Sequence, residues 1–137
     1  MAVIDELIRE EADGTLSFGN YQLPEKKKKS DFQHKGASYK VKTFKEITKL
    51  EKNENFVYES VPGTTVDHLD ISDQKASFSV EGPEDAQITL GMEAEKEYDI
   101  TVNGKDAGTM KTNLGGKLSF GVELDGVNPV QVNVTAR

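Results

Sequence analysis

The chain has 137 residues, 35% of them hydrophobic, with 17 Lys/Arg against 24 Asp/Glu and a net charge of −7. It has no cysteine, which excludes disulfides, thiolate zinc sites, iron–sulfur clusters and cysteine nucleophiles. Residues 1–60 hold 11 basic and 11 acidic residues and residues 61–137 hold 6 and 13, and so acidic a second half argues against a nucleic-acid partner. The length suits a single domain over 1–137 with a core of its own. No stretch reaches the roughly 18 apolar residues of a membrane span. The acidic start lacks a signal-peptide pattern, so a cytoplasmic location is expected.

In chain order, residues 1–12 admit two readings. Ile4, Leu7, Ile8 and Glu11 share one helical face, with Val3 beside it. Asp13-Gly14 is instead a hairpin turn, followed by an alternating strand over Thr15–Leu23. Pro24 to Ser30 reads as a loop whose Lys26–Lys29 run is a solvated face or an anchor for an acidic partner or polysaccharide. Residues 38–43 alternate as a strand. Phe44, Ile47 and Leu50 have helical spacing behind a Thr43/Glu46 capping pattern, but a hairpin of 47–52 with 56–61 fits the neighbourhood better. Further strands are expected near 65–71, 75–81, 86–91, 97–103, 106–112, 117–124 and 130–135. Asn103-Gly104 and Gly115-Gly116 supply the positive φ of tight hairpin turns. Strict alternation turns Leu118, Phe120, Val122 and Leu124 inward and Lys117, Ser119 and Glu123 outward.

Short strands at intervals of about ten residues predict an all-β, antiparallel β-sandwich, immunoglobulin-like or jelly-roll-like, of roughly eight to eleven strands and at most one or two short helical turns. The expected edges lie near the termini, at Thr15–Leu23 and Val130–Thr135. The uncharged final strand is either covered by the N-terminal segment or paired across a homodimer.

Catalytic patterns are sparse. His34 and His68 form no close pair, and Asp67, Asp70 and Asp73 lack calcium-loop geometry, so no metal and no cofactor are expected. There is no Gly-x-Ser-x-Gly, no Walker loop and no Gly-x-Gly-x-x-Gly leading from a strand into a helix. Tyr21, Tyr39 and Tyr58 are available for stacking on a sugar or for the core. The candidate ligand-binding residues are Tyr39, Tyr58, Asp67 and Asp70.

Met1–Arg9, Val41–Lys52, Phe56–Thr64 and Gly104–Ser119 together resemble a small, mostly uncharacterised family of stand-alone proteins from anaerobic gut Firmicutes, some of them labelled endosialidase. The C-terminal strand pattern is similar to immunoglobulin-like modules appended to carbohydrate-active enzymes. The family label implies a glycan hydrolase. Sialidase-like sites, however, clamp a carboxylate with several arginines, and this chain has Arg9 and Arg137 alone. The expected function is therefore a non-catalytic accessory or interaction protein acting through a sheet face or edge on a protein or glycan. A carbohydrate-binding module and a glycan hydrolase are the alternatives.

Overall fold

The computed structural model describes residues 3–137 and contains no helix among them. Its thirteen strands are β1 (Ile8–Glu10), β2 (Leu16–Phe18), β3 (Lys27–His34), β4 (Ala37–Phe44), β5 (Ile47–Lys52), β6 (Asn55–Val61), β7 (Thr65–Ile71), β8 (Lys75–Glu81), β9 (Ala86–Gly91), β10 (Glu97–Val102), β11 (Lys105–Lys111), β12 (Lys117–Val122) and β13 (Val130–Ala136). They form two antiparallel sheets, ordered β1-β2-β7-β8-β13-β10-β11 and β12-β9-β6-β5-β4-β3. Their inner faces build one hydrophobic core. The predicted antiparallel sandwich is what forms, with more strands than expected.

Period-two alternation sets the register. Val41, Leu50, Tyr58, Leu90 and Leu118 stand directly opposite one another across five strands of the second sheet, none more than 1% exposed. In the first sheet Val66, Val80 and Val130 make a similar row. Tyr58 bridges the layers, its ring edge-on to Phe18 at 5.2 Å and to Phe78 at 5.9 Å. Leu118, Phe120, Val122 and Leu124 are all buried, as the alternation required.

Three hairpins close on two residues with positive φ: Lys35-Gly36, Asn53-Glu54 and Asn103-Gly104. That is the turn whose twist matches the flanking strands. Gly115-Gly116 behaves differently. Gly116 has φ +78°, but the turn carries the chain from the edge of one sheet to the edge of the other, and β12 pairs with β9 rather than β11.

Several expectations are corrected. The N-terminal helix does not form among the described residues, and Met1 and Ala2 lie outside them. Ile4 and Ile8 are buried instead by a turn and the β1–β2 hairpin, closed where the Gly14 N–H donates to the Glu11 carbonyl at 3.0 Å. The strand begun at Thr15 stops at Phe18. Gly19 there has φ +99°, and a Cβ on it would strike the Thr64 carbonyl. The hairpin of 47–52 with 56–61, preferred over the helical spacing of Phe44, Ile47 and Leu50, does form as β5–β6, and β4–β5 makes another that turns between Phe44 and Ile47. Residues 27–30 belong to a strand, not a loop, because β4 supplies backbone partners and the edge position leaves every lysine in water. Finally, β13 is an interior strand between β8 and β10. Its lack of charge reflects burial between two neighbours rather than an unprotected edge.

Candidate functional site

The outer face of the second sheet carries a row of side chains fixed by strand register. Lys28 on β3 stands opposite Lys42 on β4, and Lys42 opposite Lys49 on β5. The row continues through Glu59 on β6, Thr89 on β9 and Ser119 on β12. The alternation that sends Val41 and Leu50 inward sends Lys42 and Lys49 outward. Three lysine stems therefore leave neighbouring strands from one row, their backbones at the strand spacing of about 4.8 Å. Like charges directly opposite one another destabilise a sheet. Partial burial, together with the charges of Lys26, Lys49 and Lys28, holds the Lys42 ammonium below its usual pKa. With Lys40 and Glu51 these lysines line a hollow of about 180 Å³.

A larger open hollow, about 600 Å³, adjoins it through Lys40 and Glu51. Ser30, Asp31, Ser38, Tyr39, Asn53 and Glu54 complete its lining. Phe56, on the same outer face, is already occupied: the Lys117 ammonium lies 4.7 Å from its ring centre and that of Lys49 lies 6.0 Å away.

The four candidate residues scatter. Tyr58 is fully buried, and its hydroxyl meets the Thr64 hydroxyl at 2.7 Å. Burial raises its pKa, and it offers no ring to a ligand. Tyr39, 8% exposed, lies edge-on to His34 at 5.7 Å. Tyr39 and Asp70 line a hollow of about 120 Å³ at one end of the sandwich, together with His34. His34 is not solvated as its sequence neighbours suggest. It is buried and contacts the Glu10 carboxylate. The strand period would have shown this, since His34 ends β3 on the same face as the half-buried Phe32.

Asp67 belongs elsewhere, in a cluster with Glu11 and His68 whose ligand atoms lie within 4.8 Å of one another. A register shift in β7 between Asp67 and Asp70, with His68 at φ +56°, creates it. The buried Ser17 hydroxyl lies 2.5 Å from Glu11 Oε2 and 2.9 Å from Asp67 Oδ1, and accepts the His68 N–H at 3.1 Å. Arg9 Nε donates to the same Glu11 oxygen at 2.9 Å, and His68 Nδ1 is 2.8 Å from Asp67 Oδ2. Serine thus meets the carboxylates rather than the imidazole, so the trio lacks the order of a nucleophilic triad. The bonds from Ser17 and Arg9 hold the Glu11 carboxyl below its usual range, the opposite of what a glycosidase acid requires. A cation placed here would face the Arg9 guanidinium. Arg9 lies on β1 and Arg137 just past the end of β13, with β2, β7 and β8 between those two strands. Arg137 lies 3.5 Å from Asp99 and 3.7 Å from Glu97.

Compared with protein-family models, curated proteins and solved structures, the chain matches none.

Proposed function

We propose that the protein is a non-catalytic interaction protein working through the outer face of its second sheet, and that the partner taken there is an acidic polysaccharide. The observation that carries this is the Lys28–Lys42–Lys49 row, set in register across three strands of a protein with net charge −7. A strand spacing of about 4.8 Å is close to the length of one sugar unit in an extended chain, so the flexible lysine stems start at intervals comparable to the repeat of such a polymer. Beyond Glu59, which ends the basic part of the row, the Thr89 and Ser119 hydroxyls lie 2.8 Å apart and are suited to sugar hydroxyls. Recognition by charge and hydroxyl, rather than by ring stacking, agrees with Tyr58 in the core and Phe56 under Lys117.

The test is calorimetric titration of polygalacturonate and of neutral dextran into the protein and into the triple variant Lys28→Gln/Lys42→Gln/Lys49→Gln. Binding of the acidic polymer alone, weakened at least tenfold in the variant and by added salt, is expected. Equal binding of both polymers would contradict the proposal. Tighter binding of polyglutamate than of polygalacturonate would reassign the face to an acidic protein.

A further inference from the structure

Among the described residues the two sheets present four edge strands: β1, β11, β3 and β12. Three are guarded. β1 spans three residues. β3 carries lysines and a register shift between Lys29 and Phe32. The β10–β11 pairing shifts register between Ile100 and Thr101. Short length, charge and bulges are the ordinary devices against strand pairing. β12 has none of them over its middle. It pairs with β9 without a shift from Lys117 to Val122, contains no proline, and has Ser119 and Gly121 as its central outward residues.

The backbone groups of this edge can be assigned. The Gly116 carbonyl accepts from the Met92 N–H at 2.7 Å, and the Leu124 N–H donates to Asp85 Oδ1 at 3.1 Å, so the even-numbered residues face β9. Odd-numbered residues face away. The Lys117 N–H, the first of these, donates to Asn113 Oδ1 at 3.0 Å, and its carbonyl accepts from the Asn113 N–H at 3.2 Å. Ser119, Gly121 and Glu123 follow with their backbone groups toward the open side.

The neighbouring edge of the first sheet supplies a second observation. β11 is exposed at every residue, so it overhangs the second sheet. Met110 stands opposite the buried Tyr98 and therefore faces the core side, yet it is 38% exposed. Leu114, in the connection from β11 to β12, is 81% exposed. One more strand added beside β12 would lie under this overhang.

We propose that the added strand is β12 of a second copy, paired antiparallel about a two-fold axis at Gly121. That register sets Gly121 against itself and Ser119 against Glu123 of the other chain. The inward Phe120 meets Val122. The pairing runs over residues 119–123 and stops short of Lys117, whose outward backbone groups Asn113 already takes. Both sets of free backbone groups are satisfied, and the second copy covers Met110. A two-fold contact of this kind closes on itself and stops at a dimer.

Sedimentation across the micromolar range tests this. The intact protein is expected at twice the 15.1 kDa chain mass. Ser119→Pro removes an outward N–H without touching the β9 ladder, and is expected to give a folded 15.1 kDa monomer. Gly121→Glu leaves the backbone intact and sets two carboxylates face to face at the axis; it too is expected to be monomeric, with partial recovery of the dimer in salt. Because the chain lacks cysteine, Gly121→Cys is expected to cross-link to a single dimeric band under mild oxidation. A monomeric parent protein, or a dimer that survives both Ser119→Pro and Gly121→Glu, would overturn the proposal.

Discussion

Tyr58 shows how much one residue can do in a sandwich this small. Its ring joins the two layers, and its hydroxyl enters a buried set of hydroxyls in which Ser60 also meets Thr64 at 2.7 Å and Thr48 meets Thr43 at 2.9 Å. Tyr58→Phe keeps the ring and removes one bond, so a loss of about 1 kcal/mol in urea unfolding is expected, with no change in quaternary state. The Glu11 and His68 pair gives opposite pH signatures. Glu11 is lowered in the fold by Ser17 and Arg9, so its contribution is full above the unfolded value of 4.5 and is lost as pH falls through the folded value. His68 is raised by Asp67 above 6.5, so its contribution is full below that pH and is lost as pH rises through the folded value. Melting temperatures measured against pH are expected to fall less steeply on the acid side in Glu11→Gln. In His68→Asn they are expected to lose the decline above neutrality.

At the scale of elements, alternation was legible wherever one face of a strand is dry. Ala76, Phe78 and Val80, then Ala86, Ile88 and Leu90, point inward on strands whose bounds match the expected ones. What alternation does not encode is which strand lies beside which. The valines of β13 look the same on an edge as in the middle of a sheet, and the lysines of β3 look like a loop until β4 pairs with them. The lysine row itself was invisible for that reason. Lys28, Lys42 and Lys49 are ordinary surface residues in sequence and become a site through cross-strand register. Two substitutions test the element scale. Phe120, 5% exposed in an otherwise apolar layer, is expected to cost about 3–5 kcal/mol on Phe120→Ala. Deleting residues 1–12 removes the buried Ile4 and Ile8 from the margin beside β2, so a clearly lower melting temperature is expected; an unchanged one would mean that the β1–β2 hairpin adds nothing.

Across the whole molecule, charge and topology act together. The acidic surplus lies in residues 61–137, while the lysine row is built from residues 28–49 on one margin of the second sheet. The net field repels polyanions at a distance, and the row attracts them close in, which makes binding sensitive to ionic strength. Pairing of two β12 strands would place two such rows on the same side of one continuous sheet. Nine strand spacings separate β4 from its counterpart, about 40 Å at about 4.8 Å each, so a long acidic polymer could engage both rows and gain in avidity. The most direct measurement of the central claim is a lysine-acetylation footprint of the protein with and without polygalacturonate, read residue by residue by mass spectrometry. Protection at Lys28, Lys40, Lys42 and Lys49, with Lys75, Lys105 and Lys111 unchanged, is the expected result. Uniform protection, or protection confined to lysines off the second sheet, would contradict it.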